Sequence, residues 1–170
     1  GAGLAAPNPP VGAVVVAGGR VVGEGWHRGP GTPHAEAMAL AEAGAAARGA
    51  TVVCTLEPCS HHGRTPPCAD ALVAAGVARV VIGALDPLER DRAQGRRVLA
   101  EAGVEVAVAV GEEARRCADL AAPFLTWALT GRPLVTLKLA TSLDGKVATA
   151  GGESRWISSP ESRALVHRWR

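Results

Sequence analysis

Tyrosine is absent from this 170-residue sequence and phenylalanine occurs once, so Phe124 and four tryptophans (Trp26, Trp127, Trp156, Trp169) are the only large rings available. So few rings cannot fill an interior, which must instead be built from Ala, Val and Leu on closely approaching elements. Neither sign of charge is in excess: 18 Lys and Arg against 16 Asp and Glu leave a net charge of +2. That balance gives no footprint for a polyanion and disfavours nucleic acid as a main partner. No apolar run reaches the roughly 18–20 residues of a membrane span, so no membrane partner is expected. Residues Gly1 to Ala6 show neither the basic start nor the apolar segment of a secretory signal. The four cysteines therefore read as reduced thiols or metal ligands rather than disulfides, which points to the cytosol.

What is present alternates strand and helix. Val11–Val16 and Arg20–Gly25 flank Ala17-Gly18-Gly19 and predict an antiparallel hairpin. Thr32 as N-cap, Pro33 in the first turn and Gly44 as stop predict a helix over 33–43. Strands are expected at 50–56, 77–83 and 104–110, with helices at 66–75, 94–102 and 112–128, the last carrying Leu120, Phe124 and Trp127 on one stripe. A layered α/β domain with a mixed sheet follows. Thr130-Gly131-Arg132-Pro133 breaks this pattern, and Leu134–Ala140 gives a fresh strand signal. The expected division is 1–131 and 132–170, and about forty residues cannot bury a core unaided, so the sequence reads as part of a longer protein.

The chemistry concentrates in Pro33-His34-Ala35-Glu36, Glu57-Pro58-Cys59 and Cys68. One imidazole and two thiolates make a three-ligand zinc set with one position left for water, whose pKa the metal lowers. Glu36 is the natural proton carrier, as in the His-x-Glu and Pro-Cys-x-x-Cys signature of zinc deaminases. Here eight residues separate the cysteines where that signature has two. The inserted His61, His62 and Arg64 are anion-binding types, which suggests a phosphate-bearing substrate. The helix beginning near Pro66 should present its positive end to Cys68 and lower that thiol's pKa.

The run Thr55-Leu56-Glu57-Pro58-Cys59-Ser60-His61-His62-Gly63-Arg64-Thr65-Pro66-Pro67-Cys68, together with Pro7-Asn8-Pro9-Pro10-Val11-Gly12 and His34-Ala35-Glu36, closely resembles the bifunctional riboflavin-biosynthesis deaminase/reductases. Leu137–Lys146 and Gly152–Ser158 resemble the opening of the same family's reductase domain. The resemblance implies a three-layer cytidine-deaminase-like α/β fold with a mixed sheet, followed by the truncated start of an α/β reductase domain. It implies zinc on His34, Cys59 and Cys68, with Glu36 shuttling protons during hydrolytic deamination of a phosphoribosylamino-pyrimidine. Asn8, Ala35, His61 and Arg64 match positions that contact that phosphorylated pyrimidine substrate. In the second part, where NADPH reduces the ribosyl group, Ala140 and Trp156 match cofactor contacts, and Ser154 and Arg170 match substrate contacts. A homo-oligomer is expected. Arg64 stands where some members have Lys, and Asp86-Pro87-Leu88-Glu89 departs from the family's usual loop.

Two other readings share these residues. A deaminase of free nucleosides or nucleic-acid bases would not need Arg64. A structural zinc module would need a fourth ligand, and only three convincing ones are present. Cys54 and Cys117 read as packing residues of a strand and a helix. Trp26 and His27, at the end of the hairpin, read as ordinary packing, with a pocket wall as the alternative. Gly23-Glu24-Gly25 lacks the rest of a dinucleotide fingerprint and is assigned no site.

Overall fold

The computed structural model describes residues 5–63, 65–88 and 93–169. Two compact units divide the chain, Gly1–Leu134 and Val135–Arg170.

In the first unit, β1 (Gly12–Ala17) and β2 (Arg20–Trp26) form the expected hairpin. Gly18 and Gly19 both have positive φ, 55° and 74°, which gives a tight turn the twist that suits paired strands. Then come α1 (Ala35–Ala43), a short 3₁₀ turn, β3 (Thr51–Leu56), α2 (Cys68–Ala75), β4 (Arg79–Ala84), α3 (Gln94–Glu101), β5 (Glu105–Val108) and α4 (Gly111–Thr130). The sheet order is β2-β1-β3-β4-β5. β1 runs antiparallel to β2 and β3, whereas β3, β4 and β5 run parallel. The sheet is mixed, as the sequence pattern predicts.

Alternation along the strands sorts the layers. Ala13, Val15, Val52, Cys54, Val80 and Ile82 face one side, where they pack with Ala35, Ala39 and Ala43 of α1, Leu72 of α2 and Leu99 of α3. Gly83, of opposite parity to Val80 and Ile82 in β4, lies against Cys117 of α4 on the other side. Helices thus cover both faces. The fully buried Leu72, Ile82 and Leu99 each contribute about 1.5–3 kcal/mol of apolar burial. The rings do not join this core: Trp26, Trp127 and Trp156 are 43%, 55% and 70% exposed. On α4 the inward stripe is Cys117 and Ala121 with Phe124. Leu120 and Trp127 of the expected stripe face outward, because the small side chains seat the helix against Gly83.

α1 lies on glycine. A Cβ on Gly25 would sit 2.3 Å from the Ala35 carbonyl oxygen, and one on Gly23 would sit 2.2 Å from that of Ala39. The Gly-x-Gly of β2 is therefore a seat for a helix.

In the second unit the only helix among the described residues is α5 (Pro160–Trp169). The strand expected over 134–140 is not formed among them: Val135, Leu137 and Leu139 are exposed and no neighbouring strand takes up their backbone groups. An extended apolar run becomes a strand only where another strand can pair with it.

Gly25→Ala should destabilise the first unit by at least about 1–3 kcal/mol, since the added methyl meets backbone that cannot rotate away. Urea unfolding followed by circular dichroism measures this, with exposed Val21→Ala on the same strand expected to stay within about 0.5 kcal/mol.

Candidate metal centre and its cleft

Three chain segments deliver the ligand atoms. His34 is the N-cap of α1, with its backbone extended and its side chain making no cap hydrogen bond. Helix α1 thus starts two residues later than Thr32 and Pro33 suggest, and the imidazole is free to turn toward Cys59 and Cys68. Cys68 is the first residue of α2, and Cys59 follows β3 by three residues.

His34 Nδ1 is 3.2 Å from Cys68 Sγ and 3.6 Å from Cys59 Sγ. All three donor atoms lie within 4.8 Å of one another. Zinc bound tetrahedrally at about 2.0 Å from nitrogen and 2.3 Å from sulfur holds N and S ligands about 3.5 Å apart. The donor set and its spacing fit that ion. The other imidazole nitrogen, Nε2, is 3.3 Å from the Thr65 hydroxyl, and this contact orients the ring with Nδ1 toward the two sulfurs.

Protons divide unevenly between the thiols. Cys68 Sγ–H donates to Cys59, whose thiol is held well below its ordinary range with further help from His34 and the Cys68 backbone N–H. Cys68 is pushed up in return by that bond, by burial and by the charge on Glu36. The expectation that α2 lowers Cys68 is therefore corrected: its first N–H points at Cys59 Sγ, 3.4 Å away, and the next, from Ala69, donates to the Cys59 carbonyl oxygen at 3.0 Å. Neither of these amides is aimed at the Cys68 sulfur. Hydrogen bonding to Cys59 raises the His34 pKa despite burial. Glu36 is 3% exposed. Burial pushes its carboxyl above the usual range, and the Cys59 charge adds to this.

The cluster opens into a cleft of about 590 Å³ lined by Asn8, Ala35, Glu36, Cys59 and His61, with Leu88 and Phe124 as apolar wall. That volume suits a small-molecule ligand. Asn8, Ala35 and His61 thus share the cleft with His34, Glu36 and Cys59. Arg64, Arg170 and the end of the altered loop, residues 89–92, lie outside the described residues. In the second unit, Ala140, Ser154 and Trp156 border one hollow of about 290 Å³ with Lys138 and Arg163, whose guanidinium lies 4.2 Å from the Trp156 ring centre.

Sequence reasoning missed three residues of this centre. His27 is 3% exposed and lines the cleft. Its Nδ1–H donates to the Pro33 carbonyl oxygen at 3.3 Å, and its Nε2 accepts from the Asn8 side-chain amide at 2.9 Å. This corrects its reading as ordinary packing, since its hydrogen bonds set Asn8. Thr65 orients His34. Glu57, beside Pro58-Cys59, is buried with its carboxylate turned to α3. Its place beside a ligand was the available signal, as the end of the hairpin was for His27, whereas Thr65 gave none.

Comparison with known proteins accords with this geometry. Residues 2–84 match the family model described as the cytidine and deoxycytidylate deaminase zinc-binding region, and residues 133–170 match the RibD C-terminal domain. The chain is 52% identical over 161 residues to riboflavin biosynthesis protein RibD of Aquifex aeolicus, covering 95% of this chain and 45% of that protein. It is 52% identical to RibD of Escherichia coli over 160 residues, covering 94% and 43%. The solved structure of a Thermotoga maritima diaminohydroxyphosphoribosylaminopyrimidine deaminase/5-amino-6-(5-phosphoribosylamino)uracil reductase superposes with a TM-score of 0.86 at 44% identity, covering 96% of this chain and 47% of that one. The chain spans a little under half the length of these relatives. With a cytidine-deaminase-like α/β fold around a His-Cys-Cys cluster, it belongs to the RibD family of riboflavin-biosynthesis proteins.

Proposed function

We propose that the first part of the chain, residues 1–131, is a zinc-dependent deaminase that replaces the amino group of a diamino-hydroxy-phosphoribosylamino-pyrimidine with oxygen and releases ammonia. One observation carries this reading: an imidazole and two thiols converge at zinc-ligand spacing beside a buried glutamate, at the floor of a cleft. His34, Cys59 and Cys68 would hold the ion. When bound, zinc acts as a Lewis acid that brings the pKa of water at its open position toward neutrality.

The remaining work falls to the chain's own side chains. Burial raises the Glu36 pKa, so its ionised carboxylate is a strong enough base to take one proton from the attacking water and pass it to the ring nitrogen, and then to take the second from the newly added hydroxyl and pass it to the departing amine. Asn8, whose side chain is held by His27, is assigned to the pyrimidine edge, and Ala35, which also lines the cleft, to the face of the ring. His61, with Arg64, is assigned to the ribose phosphate, in keeping with the charge such a group carries.

Residues 132–170 are assigned as the opening of the NADPH-dependent reductase that converts ribosyl to ribityl, with Ala140 and Trp156 toward the cofactor and Ser154 and Arg170 toward the substrate. The match of 133–170 to the RibD C-terminal domain supports this. The hollow there is too small for a whole dinucleotide, so the described residues make only part of that site. We place the protein in the cytosol as a homo-oligomer. No helix among the described residues is long and apolar enough to cross a membrane, and all four cysteines are unpaired.

Zinc-loaded chain supplied with the phosphorylated diaminopyrimidine, without NADPH, is expected to release ammonia. Glu36→Gln should keep its zinc and lose at least about 10²-fold in kcat; turnover at the unaltered rate would rule out Glu36 as the proton shuttle. Zinc must displace protons from His34, whose pKa is raised, and from Cys68, whose thiol is raised. Affinity in chelator competition should therefore fall as pH falls, by at least about tenfold per unit between roughly pH 8 and pH 6. A flat profile would mean that these side chains are not the ligands.

A further inference from the structure

Helix α3 begins without a cap of its own. The residue before it, Ala93, has a left-handed backbone, φ 60°, and no side-chain oxygen to offer. A helix start leaves several backbone N–H groups unmet, and the third is ordinarily taken by the N-cap side chain. Here the N–H of Arg96, the third helical residue, donates to Glu57 Oε1 at 3.3 Å, and the Arg96 Nε donates to the same oxygen at 3.4 Å. The Glu57 side chain is wholly buried while that of Arg96 is about one-third exposed, so this interaction is shielded from water as a surface pair is not.

Glu57 is held at its backbone as well. Its N–H donates to the carbonyl oxygen of Ala84, the last residue of β4, at 2.9 Å. One residue thus ties together both ends of the connection that leaves β4 and enters α3. That connection supplies Asp86 and Leu88 to the cleft. The helix start also presses on the next residue, for a Cβ on Gly95 would lie 2.0 Å from the Pro58 carbonyl oxygen. Cys59 comes next.

From this we infer that Glu57 is a positioning residue that caps α3 from outside the helix, fixing the β4–α3 wall of the cleft to the peptide that carries Cys59. The inference rests on the metal-centre reading for its consequence and on hydrogen-bond geometry for its existence. With Ala at position 57, Arg96 N–H loses its acceptor, α3 loosens at its start and Cys59 is held less firmly. Gln at 57 keeps an oxygen in place for that N–H. Ala at 96 removes only the side-chain arm, because the backbone donor remains.

Two measurements test it. In zinc release to a chromophoric chelator, Glu57→Ala should release the ion about 10–100-fold faster than the unaltered chain, the range found when partners of metal ligands are removed. Glu57→Gln should recover most of that loss, and Arg96→Ala should lose less than Glu57→Ala. A folded Glu57→Ala protein that releases zinc at the unaltered rate would overturn the proposal. Amide hydrogen exchange on the unaltered, metal-free chain settles the matter if Glu57→Ala does not fold. Protection of the Arg96 N–H supports the cap, and exchange at the rate of an unstructured peptide refutes it. Failure of the unaltered chain to take up zinc would overturn the metal reading alone, with Arg96 protection still reporting on the cap.

Discussion

The centre depends on how backbone N–H groups at helix starts are satisfied. Three helices begin around it, and none is capped by the side chain preceding it. His34 has the N-cap position of α1 but turns its imidazole to the cysteines. Pro67 precedes α2, whose first two N–H groups go to the Cys59 sulfur and carbonyl. Ala93 precedes α3, which takes its acceptor from Glu57. A missing N-cap side chain ordinarily costs a helix about 0.5–2 kcal/mol, a sizeable part of the roughly 5–15 kcal/mol that holds a typical domain folded. At α2 and α3 the chain offsets it by drawing Cys59 and Glu57 into the vacant acceptor positions, so the starts of these two helices and the placing of Cys59 share hydrogen bonds.

The same arrangement governs charge. One proton between the two sulfurs leaves the negative charge on Cys59, where α2 donates, and the bonded proton on Cys68. A cation entering the cluster replaces that proton and the one His34 favours, so the binding energy of the ion includes the work of deprotonation. Glu36, buried next to them, feels the Cys59 charge in the same way. Burial is the main cause for Glu36, whereas Cys68 keeps its proton first through its hydrogen bond to Cys59 and then through burial.

Much of this was legible in the residues. Gly18-Gly19 marked the hairpin, β-branched runs marked β3 and β4, and the His34, Glu36, Cys59 and Cys68 spacing marked the cluster before any fold was known. What stayed hidden depends on contacts between distant segments. Thr65 faces His34 and His27 faces Asn8 only once the loops have closed, and nothing in the local sequence of Thr65 distinguishes it from a solvated polar residue. Trp26 and Trp127 stay at the surface because a core built on small side chains leaves no gap wide enough for them. The strand signal over 134–140 was an intrinsic preference, and pairing is not intrinsic.

The glycines under α1 have an effect beyond packing. Because Gly23 and Gly25 touch main chain rather than movable side chains, no rotamer change nearby can make room for a larger residue. Neither lines the cleft. In a saturation-mutagenesis survey scored by growth, these two positions will nevertheless be as intolerant as the ligands themselves. Intolerance alone will thus mark out the floor that carries His34 as readily as the chemistry above it.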